Sequence, residues 1–217
     1  MKRTALCALL LAAGPLWAGE TPFTVTDAQG GFYSVSNRSD GLDVYMHVKR
    51  LDATGALLWE DWRRSVGSDL QAATVAADPS GHLLITSLRG RGGSRVMNLI
   101  RYRLDGSVDW ETDFTDGGRN VPTALAADRD GNIYVGGRVL RDGRSIARIW
   151  KYDRFGTLRW NREYADASNS ALTQLQVDIH GNLIAGVEVY SGSAAAIVPS
   201  MRVALVYDSG GSRVSIQ

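Results

Sequence analysis

The residues able to do chemistry are few, and most lack the spacing that chemistry needs. Asp128-Arg129-Asp130-Gly131-Asn132 opens like a calcium loop. A calcium loop of the EF type also needs further oxygen ligands and a distal glutamate, and none falls in register here. The same turn recurs with Ala28, Pro79 or Ile179 after its first aspartate, which favours a structural turn over a metal site. The histidines are His47, His82 and His180, and no pair has zinc-ligand spacing. No serine occupies a Gly-x-Ser-x-Gly elbow. Gly90-Arg91-Gly92-Gly93-Ser94 is glycine-rich, but no helix follows to hold a phosphate. Asp40 with Asp43, and Glu60 with Asp61, are acids merely close in sequence, as a mixed-charge solvated surface explains. This reading implies no cofactor and no metal, and it leans away from an enzyme.

One set of side chains remains. Arg89, Arg91, Arg95, Arg141 and Arg144, with Tyr190, fall in segments of variable length between stretches of strand-like sequence. Guanidinium groups on variable loops suit a protein partner or an anionic or glycan ligand. These six are the candidate binding residues.

The elements that must position them repeat along the chain. A turn tetrad begins at Asp27, Asp78, Asp128 and Asp178, at spacings of 51, 50 and 50 residues, and each copy ends in glycine. A second signature keeps step with it. Asp52-Ala53-Thr54-Gly55 is followed by Trp59, Leu104-Asp105-Gly106 by Trp110, and Asp153-Arg154-Phe155-Gly156 by Trp160. The fourth copy, Asp208-Ser209-Gly210-Gly211, has Ser215 in the place of tryptophan. Between the turns lie short apolar or alternating runs such as Ile133-Tyr134-Val135 and Ile146 to Tyr152. Such runs read as strands. Four antiparallel strands, a to d, in each unit of about 50 residues make a β-propeller blade. The predicted fold is all-β, with four four-stranded blades near residues 21–65, 70–116, 121–166 and 171–217. The tryptophans are expected to be largely buried between blades. The b–c loops are placed at Asn37–Asp43, Leu88–Arg95, Leu140–Ser145 and Tyr190–Ser200.

The ends and the composition bound the rest. Lys2 and Arg3, an apolar run from Ala5 to Trp17, and Ala18-Gly19 predict a signal peptide over residues 1–18, leaving a single domain over 19–217. The only cysteine, Cys7, lies within the apolar run, so neither a lipid anchor nor a disulfide is expected. Removing Lys2 and Arg3 leaves 22 basic against 23 acidic residues, a balance that argues against nucleic acid as partner. The expected location is the periplasm or the exterior of the cell.

The pattern Asp-x-x-Gly-Asn-Φ-x-Φ, then Φ-x-Lys-Tyr-Asp-x-x-Gly-x-Φ-x-Trp, is clearest at Asp128 to Val135 and Ile149 to Trp160. It resembles the repeats of exported bacterial β-propellers related to the quinoprotein-like and Asp-Gly-Asn families. The resemblance implies blade architecture over residues 21–217. It leaves function open, because such repeats serve enzymes, assembly factors and binding proteins. Three readings follow: an exported, non-enzymatic binding or scaffolding protein, a small enzyme of the quinoprotein or lyase type, or half of an eight-bladed ring completed by a second copy. A closed monomeric ring is favoured over a homodimer.

Overall fold

The computed structural model describes residues 22–92, 95–114, 119–164, 169–190, 199 and 201–216. The segment read from the sequence as a signal peptide and most of the expected fourth b–c loop lie outside these residues. The described residues contain no helix. Sixteen strands form four antiparallel sheets. Blade 1 is β1 (Phe23–Thr26), β2 (Phe32–Ser39), β3 (Val44–Leu51) and β4 (Leu57–Arg63). Blade 2 is β5 (Leu70–Ala77), β6 (Leu83–Arg89), β7 (Val96–Tyr102) and β8 (Val108–Phe114). Blade 3 is β9 (Arg119–Ala127), β10 (Ile133–Arg141), β11 (Arg144–Tyr152) and β12 (Leu158–Tyr164). Blade 4 is β13 (Asn169–Val177), β14 (Leu183–Tyr190), β15 (Met201–Tyr207) and β16 (Arg213–Ile216). Within each sheet the strands follow chain order, as an up-and-down blade requires.

The turn tetrads work as their chemistry dictates. Asp27 Oδ1 accepts the backbone N–H groups of Gln29 and Gly31 at 2.9 and 2.8 Å. Asp78, Asp128 and Asp178 hold their own turns in the same way. In the middle c–d turn the backbone closes from Arg103 to Ser107, so the turn is as long as the others and Arg103 stands where they have aspartate. Asp105 supplies the carboxylate instead, accepting from Ser107.

Burial of Asp27 works to raise its pKa, but Arg50 and the amides of Gln29 and Gly31 outweigh this and hold it below 3.8. Asp153 is depressed against its burial by the amides of Thr157 and Phe155 and by Arg159. A depressed folded-state pKa stabilises the fold above the unfolded value, and that stability disappears as pH falls through the folded value. The urea midpoint is therefore expected to be flat near neutral pH and to fall below about pH 4. Asp27→Asn should lower the neutral plateau and shrink the acid-induced drop. An equal drop in both proteins would show that Asp27 is uncoupled from stability.

Three apolar clusters form the core, each between consecutive blades. Tyr33, Val35, Met46 and Val48 meet Leu83, Ile85, Ile100 and Tyr102. Leu84, Met97 and Leu99 meet Ile133, Val135, Trp150 and Tyr152. Tyr134, Ala147 and Ile149 meet Leu172, Leu183, Val187 and Leu205. The innermost strands β1, β5, β9 and β13 touch in series. Among the described residues the first and fourth blades lack the strand packing that joins every other neighbouring pair. The four blades thus make an open arc rather than the closed ring favoured from the sequence. Closure needs the angles between blades to sum to a full turn, and no local signal records that sum.

The repeated tryptophans connect each blade to the next. Trp59 Nε1 donates to Leu104 O at 2.9 Å, Trp110 to Arg154 O at 2.9 Å and Trp160 to Ser209 O at 3.3 Å. Each indole lies on the glycine of the following blade's c–d turn. A Cβ built on Gly106, Gly156 or Gly211 would fall 2.8 Å from the ring of Trp59, Trp110 or Trp160 respectively. The tryptophans are half-buried, not largely buried as expected, because strand d is the outermost of its blade and leaves one ring edge in water. The first c–d turn is uncovered: nothing lies within 4 Å of a Cβ on Gly55.

Candidate functional site

The b–c loops and d–a connectors emerge together at one end of the blades. In blade 3 the expected loop Leu140–Ser145 is a two-residue hairpin turn, Asp142-Gly143, with both residues at positive φ. Arg141 and Arg144 are therefore facing strand ends rather than loop residues, and Arg89 ends β6. Arg91 and Arg95 lie in the blade 2 connection, and Tyr190 ends β14.

The structure places five of the six candidates against acids. Arg89 is bonded to Asp113. Arg91 is bonded to Asp43 and donates to Leu42 O at 2.7 Å. Arg95 lies 3.8 Å from Asp69. Arg141 pairs with Glu163 at 3.2 Å, and Arg148 reaches the same carboxylate at 3.4 Å. Tyr190 donates its hydroxyl to Glu188 at 2.9 Å. Of the six, only the Arg144 side chain has no hydrogen bond or ion pair among the described residues. The rim is thus a mosaic of neutralised pairs, not a positive field that could attract a polyanion.

The same contacts fasten this end together. Asp40 Oδ1 accepts the N–H groups of Leu42 and Asp43 at 3.1 and 3.0 Å, and its Oδ2 meets Arg64 at 2.5 Å. The Asp43 amide, the Arg64 guanidinium and the Leu42 amide hold the Asp40 carboxyl well below the usual range. Asp69 accepts from Val44 N at 3.0 Å with its side chain and from Gly90 N at 3.0 Å with its carbonyl, tying blade 1 to the blade 2 loop. A bridge between Ser65 and Ser68 closes the turn around Val66.

On these fastened loops two aliphatic side chains face water. Leu42 is 82% exposed and Val66 is fully exposed. The Asp40–Arg64 pair joins the two segments that carry them. Reading the sequence for charge passed over both, although each is a lone aliphatic beside a turn glycine, Gly41-Leu42 and Val66-Gly67.

The opposite end offers less. A hollow of about 130 Å³ is lined by Pro79, Asp128, Arg129, Asp178 and Ile179. Asp128 already serves its own turn and the Tyr134 hydroxyl, and Asp178 its own turn and Asn182. Among the described residues no group of three or more His, Cys, Asp or Glu side chains could hold a metal ion.

No protein-family model matches the chain, and no curated protein does. Solved structures do. The β-propeller domain of the trilobed protease from Pyrococcus furiosus aligns with a TM-score of 0.54 at 11% identity, over 91% of this chain and 58% of that one. An arabinanase of Bacillus subtilis aligns with a TM-score of 0.44 at 11% identity, over 89% of this chain and 73% of its own. A putative gluconolactonase aligns with a TM-score of 0.43 at 16% identity, over 88% of this chain and 71% of its own. The chain spans little more than half the length of the first of these. At such identities the likeness is one of fold, and that fold is the β-propeller.

Proposed function

We propose that the chain is a non-enzymatic binding or scaffolding protein that engages a protein partner through its b–c and d–a end. The single observation that carries this reading is the exposure of Leu42 and Val66 on segments joined by the Asp40–Arg64 pair and fastened by the Arg91–Asp43 and Asp69 contacts. Preorganised loops lose little entropy on association. Exposed aliphatic side chains among interspersed charges of both signs suit a protein interface. The neutralised arginines speak against an anion at this end. Export to the periplasm or beyond completes the proposal and rests on the Lys2 to Ala18 segment alone.

The test is capture of partners from the native envelope on immobilised protein. Leu42→Asp with Val66→Asp should abolish capture while leaving the thermal midpoint unchanged, because both side chains are already in water. Arg91→Glu with Arg141→Glu should weaken capture less. Arg129→Glu, on the opposite end, should leave it intact. Capture that survives the aspartate pair and fails with Arg129→Glu would place the interface at the other end.

A further inference from the structure

The outward side of blade 1 carries a polar strip where the other blades are apolar. Strand register sets one rung across each sheet. In blade 2 it runs Val75, Ile85, Ile100 and Glu111. In blade 3 it runs Leu125, Val135, Trp150 and Asn161. In blade 4 it begins Leu175, Ala185, Leu205. The two central residues of each rung are at most 1% exposed, beneath the preceding blade. In blade 1 the same rung reads Thr24, Ser34, Lys49 and Glu60. No described blade covers it, and the side chains of Ser34 and Lys49 have no hydrogen bond or ion pair among the described residues.

The next rung on that side is Ser36, His47 and Trp62. His47 is 4% exposed, and its Nε2 donates to Glu60 at 2.7 Å. Trp62 lies flat on His47, with ring centroids 3.5 Å apart and planes 12° apart, yet it is 49% exposed. Blades 2 and 3 have Asp113 and Glu163 in place of Trp62.

A terminal blade that only faces water needs a polar face, as the end repeats of stacked arrays do. That requirement accounts for the Thr24–Glu60 rung. It does not account for an indole held flat over an imidazole, flanked by Tyr45 at 6.0 Å, with half of its surface in water. Directly opposed residues in such a sheet stand about 5 Å apart, so Ser34, Ser36, Lys49, Glu60 and Trp62 form one compact group. It offers a planar apolar platform, donors at Lys49 and the two serines, and an acceptor at Glu60. Lys49 and Glu60 sit side by side, so the group carries little net charge. Mixed donors and acceptors without a dominant charge, beside an aromatic plane, complement a ring that is hydroxylated at its edge and apolar on its face. We infer that the outward face of blade 1 binds an uncharged saccharide, stacked on Trp62 and hydrogen-bonded by Ser34, Lys49 and Glu60. Tyr45, 6.0 Å from Trp62, and Arg64, 3.6 Å over the Tyr45 ring, connect this site to the loop end proposed above for a protein partner.

Titration calorimetry of the full chain with cellohexaose, xylohexaose, mannohexaose, maltohexaose and chitohexaose tests the inference, with hexagalacturonate as the charged counterpart. At least one uncharged saccharide should bind. Trp62→Ala should weaken it by about tenfold or more, as for other aromatic anchors. Lys49→Met and Ser34→Val should each weaken it while keeping the urea midpoint, since other blades tolerate apolar residues there. Absence of binding to all five, binding by hexagalacturonate alone, or binding indifferent to Trp62→Ala would overturn the inference. So would light scattering that shows a stable dimer dissociated by Trp62→Ala, because a second copy would then be the occupant.

Discussion

Gly136→Ala is expected to destabilise the protein by about 2 kcal/mol, whereas Gly186→Ala, one repeat later, is expected to be neutral or slightly stabilising. Both glycines occupy the same place on strand b, facing the next blade. A Cβ on Gly136 would fall 2.2 Å from Leu172 Cδ2 and 2.9 Å from Leu175 Cδ1. Those leucines are 1% and 3% exposed, so they have little room to withdraw. Blade 4 has no described blade beyond it, and a Cβ on Gly186 meets only its own sheet, no closer than 3.4 Å from Gln174 Cβ. Urea unfolding of the two variants reads the difference directly. Equal losses would mean that the far side of blade 4 is packed and that the arc is closed.

Trp110→Ala should cost about 3 kcal/mol, toward the lower end for large aromatics because the ring is half-buried. The loss combines the contact with Gly156 and the bond to Arg154 O. A double-mutant cycle separates packing from backbone strain. Gly156 has φ +80°, so alanine there is strained in any background, but its clash with the indole exists only while Trp110 is present. Gly156→Ala should therefore cost less in the Trp110→Ala background than alone. A nearly neutral Trp110→Ala would remove the repeated tryptophan from the structural account.

The blades were legible because their punctuation is local. An aspartate that caps its own turn and a glycine that enters positive φ act within five residues, so Asp128 to Asn132 can be read without knowing anything distant. Arg103 made one copy read shorter than the others because a neighbouring aspartate took over the capping. The partners of the arginine rim were hidden for the opposite reason. The acids that neutralise Arg89 and Arg91 lie 24 and 48 residues away, and only strand register and blade order bring them close. The polar rung of blade 1 was present in the sequence as Ser34 and Lys49 against Ile85 and Ile100, but a search for what repeats passes over what departs from the repeat.

The three repeated tryptophans donate the same way, from an earlier blade to a later one, across 45, 44 and 49 residues. For a chain synthesised from its N-terminus this imposes a timetable. Blade 1 can pair its strands as soon as Arg63 has left the ribosome, but Trp59 finds Leu104 only when most of blade 2 has followed. Each blade in turn waits about one repeat for the surface that will cover its tryptophan. A nascent chain therefore exposes one such indole at a time, however many blades already stand behind it. Domains that form in order as they emerge keep the pool of sticky intermediates small. The forward reach of Trp59, Trp110 and Trp160 builds that order into the spacing of the repeat.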